Sequence, residues 1–596
     1  MISSESLWLT LMTCPPFGII AATLVIGYVI FEIGFFFHYQ WHLVPRANQV
    51  LYHAPAPFRD YMEIKDREKL LLRIIHRISA RIPNKCSNAK NGSGHLHDNS
   101  AVDSSEACYN FIESWFQKKS DDTKYDRFSE EFDMATLDVG LCPPPPSMIR
   151  MAWSSVGGNT DDSLKSSDSS SVLDEGEQSS HNEECNKKQN GQARRENAMP
   201  KMGKLQKGNM DEFLSWALFG VPFSTAQSNP DMQQALDKFY TILQTDGGLT
   251  FEPGHNPNYK PRSFTFEKVK ALYRPFFIYA SVALMRLAGD CFLYAIGFRQ
   301  YSCKRGLRYW HRPAEQQCGS PFLFFHGIAP GGHAPYIPMI LFGVLKGQLS
   351  HKHRDVFLFE NKPISYALCF DALSEKDTIQ GVLEALQRHI PTSTSLTVCG
   401  HSFGSCQLTW MVKSPEIKSR IRQLILLDPV SILLSEPDVV VNFLYNRHEV
   451  ECQQSGHSNG WIERLIRFCN ETKIHLVASS EMFIEYYLRR NFAWYNSEIW
   501  LQDIPHDVKV TVFLAERDEI VNTQKIEREL ELHNSRVSRE ACNSVTSMGP
   551  LIKKVIWKDV GHAHCVMNPE RWSDINQVMR KLESQIMNEK SCQKVK

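Results

Sequence analysis

The chain has few cysteines, and none at metal or redox spacing. Its sixteen Cys among 596 residues include no C-x-x-C, which excludes zinc ribbons and thioredoxin-like sites. Sixteen is also far below the density of a disulfide scaffold. Net charge is missing too, since 66 Lys and Arg balance 66 Asp and Glu. Without a basic face there is no electrostatic basis for binding nucleic acid. No phosphate cradle is present: the Gly327–Gly332 stretch lacks the Lys-Ser/Thr ending that a P-loop needs. A composition of 42% hydrophobic and 22% charged residues disfavours a wholly disordered, collagenous, coiled-coil or polytopic membrane protein. The length has room for about four domains.

What is there begins with an apolar run. Pro15–Phe37 holds a single charge, Glu32. As a helix it would reach about 34 Å, enough to cross a hydrocarbon core of about 30 Å. Tyr39 and Trp41 follow where an interfacial aromatic belt would sit. No Lys or Arg precedes the run and no A-x-A-like site follows it, unlike a cleaved signal peptide. Residues 1–45 therefore read as a single-pass transmembrane anchor. Arg46, Arg59 and Lys65 on its C-terminal flank put the rest of the chain on the cytosolic side, with the endoplasmic reticulum as one candidate membrane. The sequons at Asn91 and Asn470 would suit the opposite orientation.

Residues 46–134 read as a helical juxtamembrane region. Within it, 60–82 carries the amphipathic pattern of Leu70, Leu71, Leu72, Ile74, Ile75 and Ile78, and 108–117 suggests a further short helix. Residues 135–205, with a four-proline run at 143–146 and a Ser-rich stretch after it, are too polar to offset their ordering entropy and read as a disordered insertion. Residues 206–290 return to helical spacing. The apolar stretch 272–298 carries Arg286 and Asp290. These are costly inside a bilayer, so a helix packed on the protein or resting on the membrane is expected.

From about 291 to the end, short apolar runs alternate with helical stretches. Expected strands are Pro321–Phe325, Val356–Phe359, Leu396–Cys399, Ile421–Leu427, Val508–Leu514 and Lys554–Trp557; expected helices are Asp377–His389, Gly404–Lys413 and Arg571–Ile586. This alternation implies an α/β fold with a mainly parallel sheet covered on both faces.

The chemistry centres on Gly400-His401-Ser402-Phe403-Gly404. It matches G-x-S-x-G, directly follows an apolar strand and directly precedes a helix, the strand–turn–helix setting of a nucleophile elbow. A Ser hydroxyl is a poor nucleophile and needs a base that a third group orients. In such sheets the chain order is Ser, acid, His. Asp518 lies a few residues past the strand around Val510–Leu514, and His562 follows the last strand. His564 is an alternative base. Asp428, in Leu-Leu-Asp-Pro-Val, is an alternative acid. Developing oxyanion charge needs donors, and His326-Gly327 at the end of the first strong strand would present the N–H of Ile328 beside that of Phe403. The pairs His95/His97 and His351/His353 lack a completing ligand set. No metal is assigned, and no cofactor.

With His326-Gly327, the Gly400–Gly404 elbow, Asp518 and Gly561-His562, the segment 320–586 resembles an α/β-hydrolase fold serine hydrolase. Gly-His, then six residues, then Pro569-Glu570 repeats a common ending of that fold. The resemblance implies an eight-stranded, mostly parallel sheet whose earliest strands come from about 292–312. It also implies that the 431–507 insertion forms a helical cap, rich in aromatics such as Phe443, Tyr445, Trp461, Phe483 and Trp494. The expected activity is esterase or lipase chemistry on a small-molecule or lipid ester, through an acyl-enzyme on Ser402. The same triad would serve an acyltransferase or a thioesterase, and the fold alone would serve a non-catalytic binding protein.

Overall fold

The computed structural model describes residues 15–49, 62–81, 99–118, 204–315, 319–344, 354–392, 394–445, 478–542 and 549–581. Of the expected disordered insertion, only 204–205 fall within these. The histidines 95, 97, 351 and 353, both sequons, and Trp461 of the expected cap fall outside. The chain divides into two compact units, one of Met1–Phe116, Leu205–Asn256 and Pro261–Lys596, the other of Gln117–Lys204 with Pro257–Lys260. The sheet and the candidate site belong to the first.

The centre of that unit is a sheet of eight strands: β1 (Arg299–Ser302), β2 (Arg308–Arg312), β3 (Phe322–Phe325), β4 (Val356–Phe359), β5 (Leu396–His401), β6 (Ile421–Leu427), β7 (Lys509–Ala515) and β8 (Ile552–Trp557). The order across the sheet is β8-β7-β6-β5-β3-β4-β2-β1. β2 runs antiparallel to β1 and β4, and all other pairs are parallel. β3, β4 and β5 are buried along their whole length. Their continuous apolar runs suit strands covered on both faces. Register aligns Phe325 with Gly400, and Gly400 with Leu426. The carboxyl ends of β3, β5 and β6 thus sit side by side, where ligands of parallel sheets gather.

Helices in the described residues include α1 (Pro15–His38), α2 (Ile64–Ala80), α3 (Asn99–Glu113), α4 (Lys207–Leu214), α5 (Pro230–Thr245), α6 (Phe276–Ala295), α7 (Glu375–His389), α8 (Gly404–Lys413), α9 (Met482–Arg490) and α10 (Thr523–Cys542). Ser374 opens α7 by accepting from the Asp377 N–H at 3.0 Å, a side-chain N-cap. Two expectations shift. Residues 292–295 belong to α6 rather than to a first strand; Gly297, at φ 94°, ends that helix and lets the chain turn into β1. The helix expected at 108–117 begins earlier and stops at Glu113, with 116–118 extended.

α2 turns Leu70, Leu71, Ile74, Ile75 and Ile78 inward, as its 3.6-residue apolar period requires. Basic residues on it and at its end reach the 431–507 segment and α10. Arg77 pairs with Glu498 at 2.7 Å, both buried, and Arg81 pairs with Glu436 and Glu529. Buried ion pairs of this kind fix an arrangement more than they stabilise it.

Two helical stretches, Thr23–Asn48, which begins within α1, and Phe276–Ala295, which is α6, are long and apolar enough to cross a membrane by length and composition. On α1, Leu24, Val25, Ile26 and Ile30 are exposed. Its lone charge is satisfied locally: Glu32 accepts from the Tyr273 hydroxyl at 2.6 Å and from the Phe276 N–H at 2.9 Å, at the first turn of α6. Phe35 packs edge-on against Phe276, with ring centroids 5.3 Å apart. α6 is one-sided. Leu284, Leu287 and Tyr294 are exposed, whereas Arg286 bonds Glu360 at 2.5 Å and Asp290 meets His333 at 3.1 Å.

Candidate active site

Ser402 sits between β5 and α8 with φ 50°. A non-glycine residue in the left-handed region is strained, and its neighbours must hold it. Its N–H donates to Leu427 O at 2.9 Å on the adjacent strand. Gly404 opens α8 directly against β3, where a Cβ would collide with the Phe325 carbonyl and lie 2.9 Å from His326 O. A side chain there would force the elbow off the sheet.

His562 Nε2 lies 2.8 Å from Ser402 Oγ, and its Nδ1 lies 2.7 Å from Asp518 Oδ2. Asp518 is itself fixed, since its Oδ1 accepts from the N–H groups of Ile520 (2.8 Å) and Val521 (2.9 Å). Burial opposes a charge on His562, but the Asp518 carboxylate, with Asp428 and Glu519 behind it, outweighs burial and lifts the imidazole to about 9. The alternatives make other contacts. His564 is exposed at the start of a short helix. Asp428 is fully buried and accepts from the N–H groups of Ala515 (2.8 Å) and Ala563 (3.2 Å), so it fastens the loop after His562 instead of orienting the ring.

The expected donors flank the serine. Among the described residues, the N–H groups of Ile328 and Phe403 have no hydrogen-bond partner. Four residues whose contacts the motifs do not give shape this side. Tyr336 accepts from the Gly327 N–H at 3.0 Å and lies 2.8 Å from His401 Nδ1. With no other acceptor in reach among the described residues, its single proton goes to Nδ1 and leaves the His401 proton on Nε2, which faces Asp428 Oδ2 across 3.8 Å. Burial lowers the His401 pKa, with Asp428 opposing, so the ring stays neutral. His326 bonds Gly327 O through Nδ1 (2.7 Å) and accepts from the Asn361 N–H through Nε2 (3.0 Å); burial pulls it down to about 4. Both nitrogens of this neutral ring hold the turn. Glu519, which reads in sequence as one more solvated acid, accepts from the His562 N–H at 2.7 Å. Only the places of His401 inside the elbow and of Glu519 beside Asp518 hint at these roles; Tyr336 gives no sequence signal.

No protein-family model matches the chain, and no curated protein matches it. Solved structures similar to it include the carboxylesterase CesB from Bacillus subtilis, at 12% identity and TM-score 0.32, covering 51% of this chain and 98% of that one. The esterase RhEst1 from Rhodococcus sp. is 15% identical at TM-score 0.31, covering 48% and 98%. A membrane phospholipase A described as a bacterial virulence factor is 14% identical at TM-score 0.31, covering 52% and 93%. Likenesses this distant carry no argument about the site, whose chemistry is read from its own geometry.

A cavity of about 300 Å³ opens on Ser402 and His562. Apart from Ser402, His562 and His401, every described side chain lining it is apolar, among them Ile328, Phe403, Val430, Leu434, Phe443 and Leu488. Asp428 also belongs to two groups whose donor atoms lie within 4.8 Å of one another, His401–Asp428–Cys565 and Asp428–Asp518–His562. In the first, burial and Asp428 push the Cys565 thiol well up, so it stays protonated and faces the carboxylate. In the second, the donors are already bonded to each other or to backbone N–H groups. Neither offers the deprotonated, free set a metal needs.

Gly327 lets the oxyanion-side turn come close. A Cβ there would lie 2.9 Å from both Ser402 Cβ and Tyr336 Oη. Gly327→Ala is therefore expected to push the Ile328 N–H away from the serine. That should cost about 10²–10³ in kcat on a short ester, measured by steady-state kinetics with KM changed far less.

Proposed function

We propose that the protein is a membrane-anchored serine hydrolase of the α/β-hydrolase family, cleaving carboxylic esters with an apolar, lipid-like acyl group. One observation carries this reading: a single imidazole bonds a serine at a strained elbow on one side and a buried carboxylate on the other. In this reading Ser402 Oγ attacks the ester carbonyl. His562 takes the hydroxyl proton and hands it to the leaving alkoxide. Asp518 keeps the Nδ1–H tautomer and stabilises the imidazolium. The N–H groups of Ile328 and Phe403 receive the oxyanion. Water, deprotonated by His562, then attacks the acyl-enzyme, and Ser402 leaves with its proton restored. The apolar cavity supports a hydrocarbon acyl group, because a polar one would lose its hydration without gaining partners. The exposed apolar length of α1 supports anchoring in a bilayer.

The experiment is labelling with an alkyl fluorophosphonate, read by mass spectrometry of the digested protein. The expected adduct sits on the peptide containing Ser402. An adduct on another serine, or none, would overturn the assignment.

A further inference from the structure

Among the described residues, Phe264 is the one lining the cavity that comes from ahead of the eight-stranded sheet. It lies in the stretch between α5 and α6, and it is 1% exposed. Its ring packs edge-on against Trp216 at 5.5 Å. Its backbone is strapped to α9. Arg489 donates to Phe264 O at 3.1 Å, and Arg490 donates to Thr265 O and to Glu267 O, each at 2.7 Å. Trp216 Nε1 adds a bond to Thr265 Oγ1 at 2.8 Å. Two guanidinium groups on the carbonyls of one short stretch leave the segment little freedom to retreat. α9 itself supplies Leu488 to the same cavity. The aromatic wall is therefore set in place before any ligand arrives, and a rigid wall discriminates by length where a yielding one would not.

We propose that Phe264 sets the length of the acyl chain the enzyme accepts, and that the accepted chains are unsubstituted hydrocarbon acyl groups. The inference rests on the hydrolase reading of Ser402. A cavity of about 300 Å³ is far larger than the site of a single water and has room for an extended hydrocarbon chain. The class follows from the lining. Among the described residues, no Asp, Glu, Lys, Arg, Asn or Gln lines the cavity, so nothing there would pair with a charged or amide-bearing acyl group. The helical region before the sheet thereby acquires a role: it closes the substrate site that the sheet opens.

The test uses the full-length protein in detergent micelles and p-nitrophenyl esters of four to sixteen carbons. Each carbon that fits is worth about fourfold in kcat/KM. The wild type is expected to climb with chain length to an optimum and then fall. Phe264→Ala should move that optimum longer by about three carbons, the space the ring vacates. Phe264→Trp should shorten it. A gain on long esters cannot arise from unfolding. Should the Ala variant melt early, Phe264→Leu, expected to lengthen the optimum by about one carbon, takes its place. A chain-length profile identical to wild type in folded Phe264→Leu and Phe264→Trp, with Ser402 still labelled by fluorophosphonate, overturns the role of Phe264 alone. No turnover of any ester together with no labelling of Ser402 overturns the hydrolase reading and this inference with it.

Discussion

Replacing Ser402 by Ala is expected to lower kcat by about 10⁵–10⁶-fold while the protein folds normally. Removing the nucleophile of a triad costs about as much as removing the whole triad, because the remaining members act only through it. The residual rate comes from the oxyanion donors and from binding. The substitution is mild for the fold, since Ser402 Oγ is bonded to His562 and to no backbone group among the described residues. Ala keeps the Cβ that is strained at φ 50°, so the backbone strain is unchanged and the melting temperature stays close to that of wild type. The measurement is single-turnover hydrolysis of an activated ester beside a thermal melt. A Ser402→Ala protein retaining a tenth of the activity would mean that another residue carries the acyl group.

The second large effect belongs to Asp518→Asn. The amide keeps the shape of the side chain, but it can present its NH₂ to the imidazole, reversing the tautomer, and a loss of about 10⁴-fold in kcat follows. The pH profile gives the sharper readout. His562 must be neutral to accept a proton, and Asp518 holds it at about 9. Wild-type kcat/KM should therefore rise with pH and level off only above about 9. Without the carboxylate, burial works against the charged ring with far less opposition, so the inflection should fall by more than about one unit. The sign for stability runs the other way. A His whose pKa is raised in the folded state contributes fully below its unfolded value and loses that contribution as pH rises through about 9. Activity and stability should thus part company in the alkaline range. An inflection unmoved in Asp518→Asn would shift the orienting role to Asp428.

The contrast between Asp518 and Asp428 shows where sequence stops being sufficient. Both acids follow a strand, and pattern alone leaves them as alternatives. Three-dimensional register separates them: Asp428 ends β6 with φ 42° and is turned beneath the site, its oxygens taken by the N–H groups of Ala515 and Ala563. The strands are legible because β3 to β7 are apolar runs bounded by turn residues, and a run of that kind has few other places to go. α8 is legible from the elbow before it. The start of the sheet is harder. α6 continues through Ala295 because Phe292, Leu293 and Tyr294 serve a helix as well as a strand, and Gly297 decides the boundary. Tyr336 is out of reach for a different reason. Its contribution is a hydroxyl placed between Gly327 and His401, and only folding joins positions so far apart in the chain. Phe264 is hidden in the same way, in a region without a recognisable motif.

The Glu32 carboxylate has a further consequence. A tether that merely held an enzyme near a bilayer could be cut or exchanged without effect on the enzyme. Here the lone charge of α1 closes the first turn of α6, and the far side of α6 grips the turn after Gly327 through Asp290 and His333, with Met285 against Gly331. α1 and the turn after Gly327 are thus linked through α6. Exchanging α1 for an unrelated apolar helix would leave the Phe276 N–H and the Tyr273 hydroxyl without their Glu32 acceptor, at the start of the helix that holds the turn after Gly327.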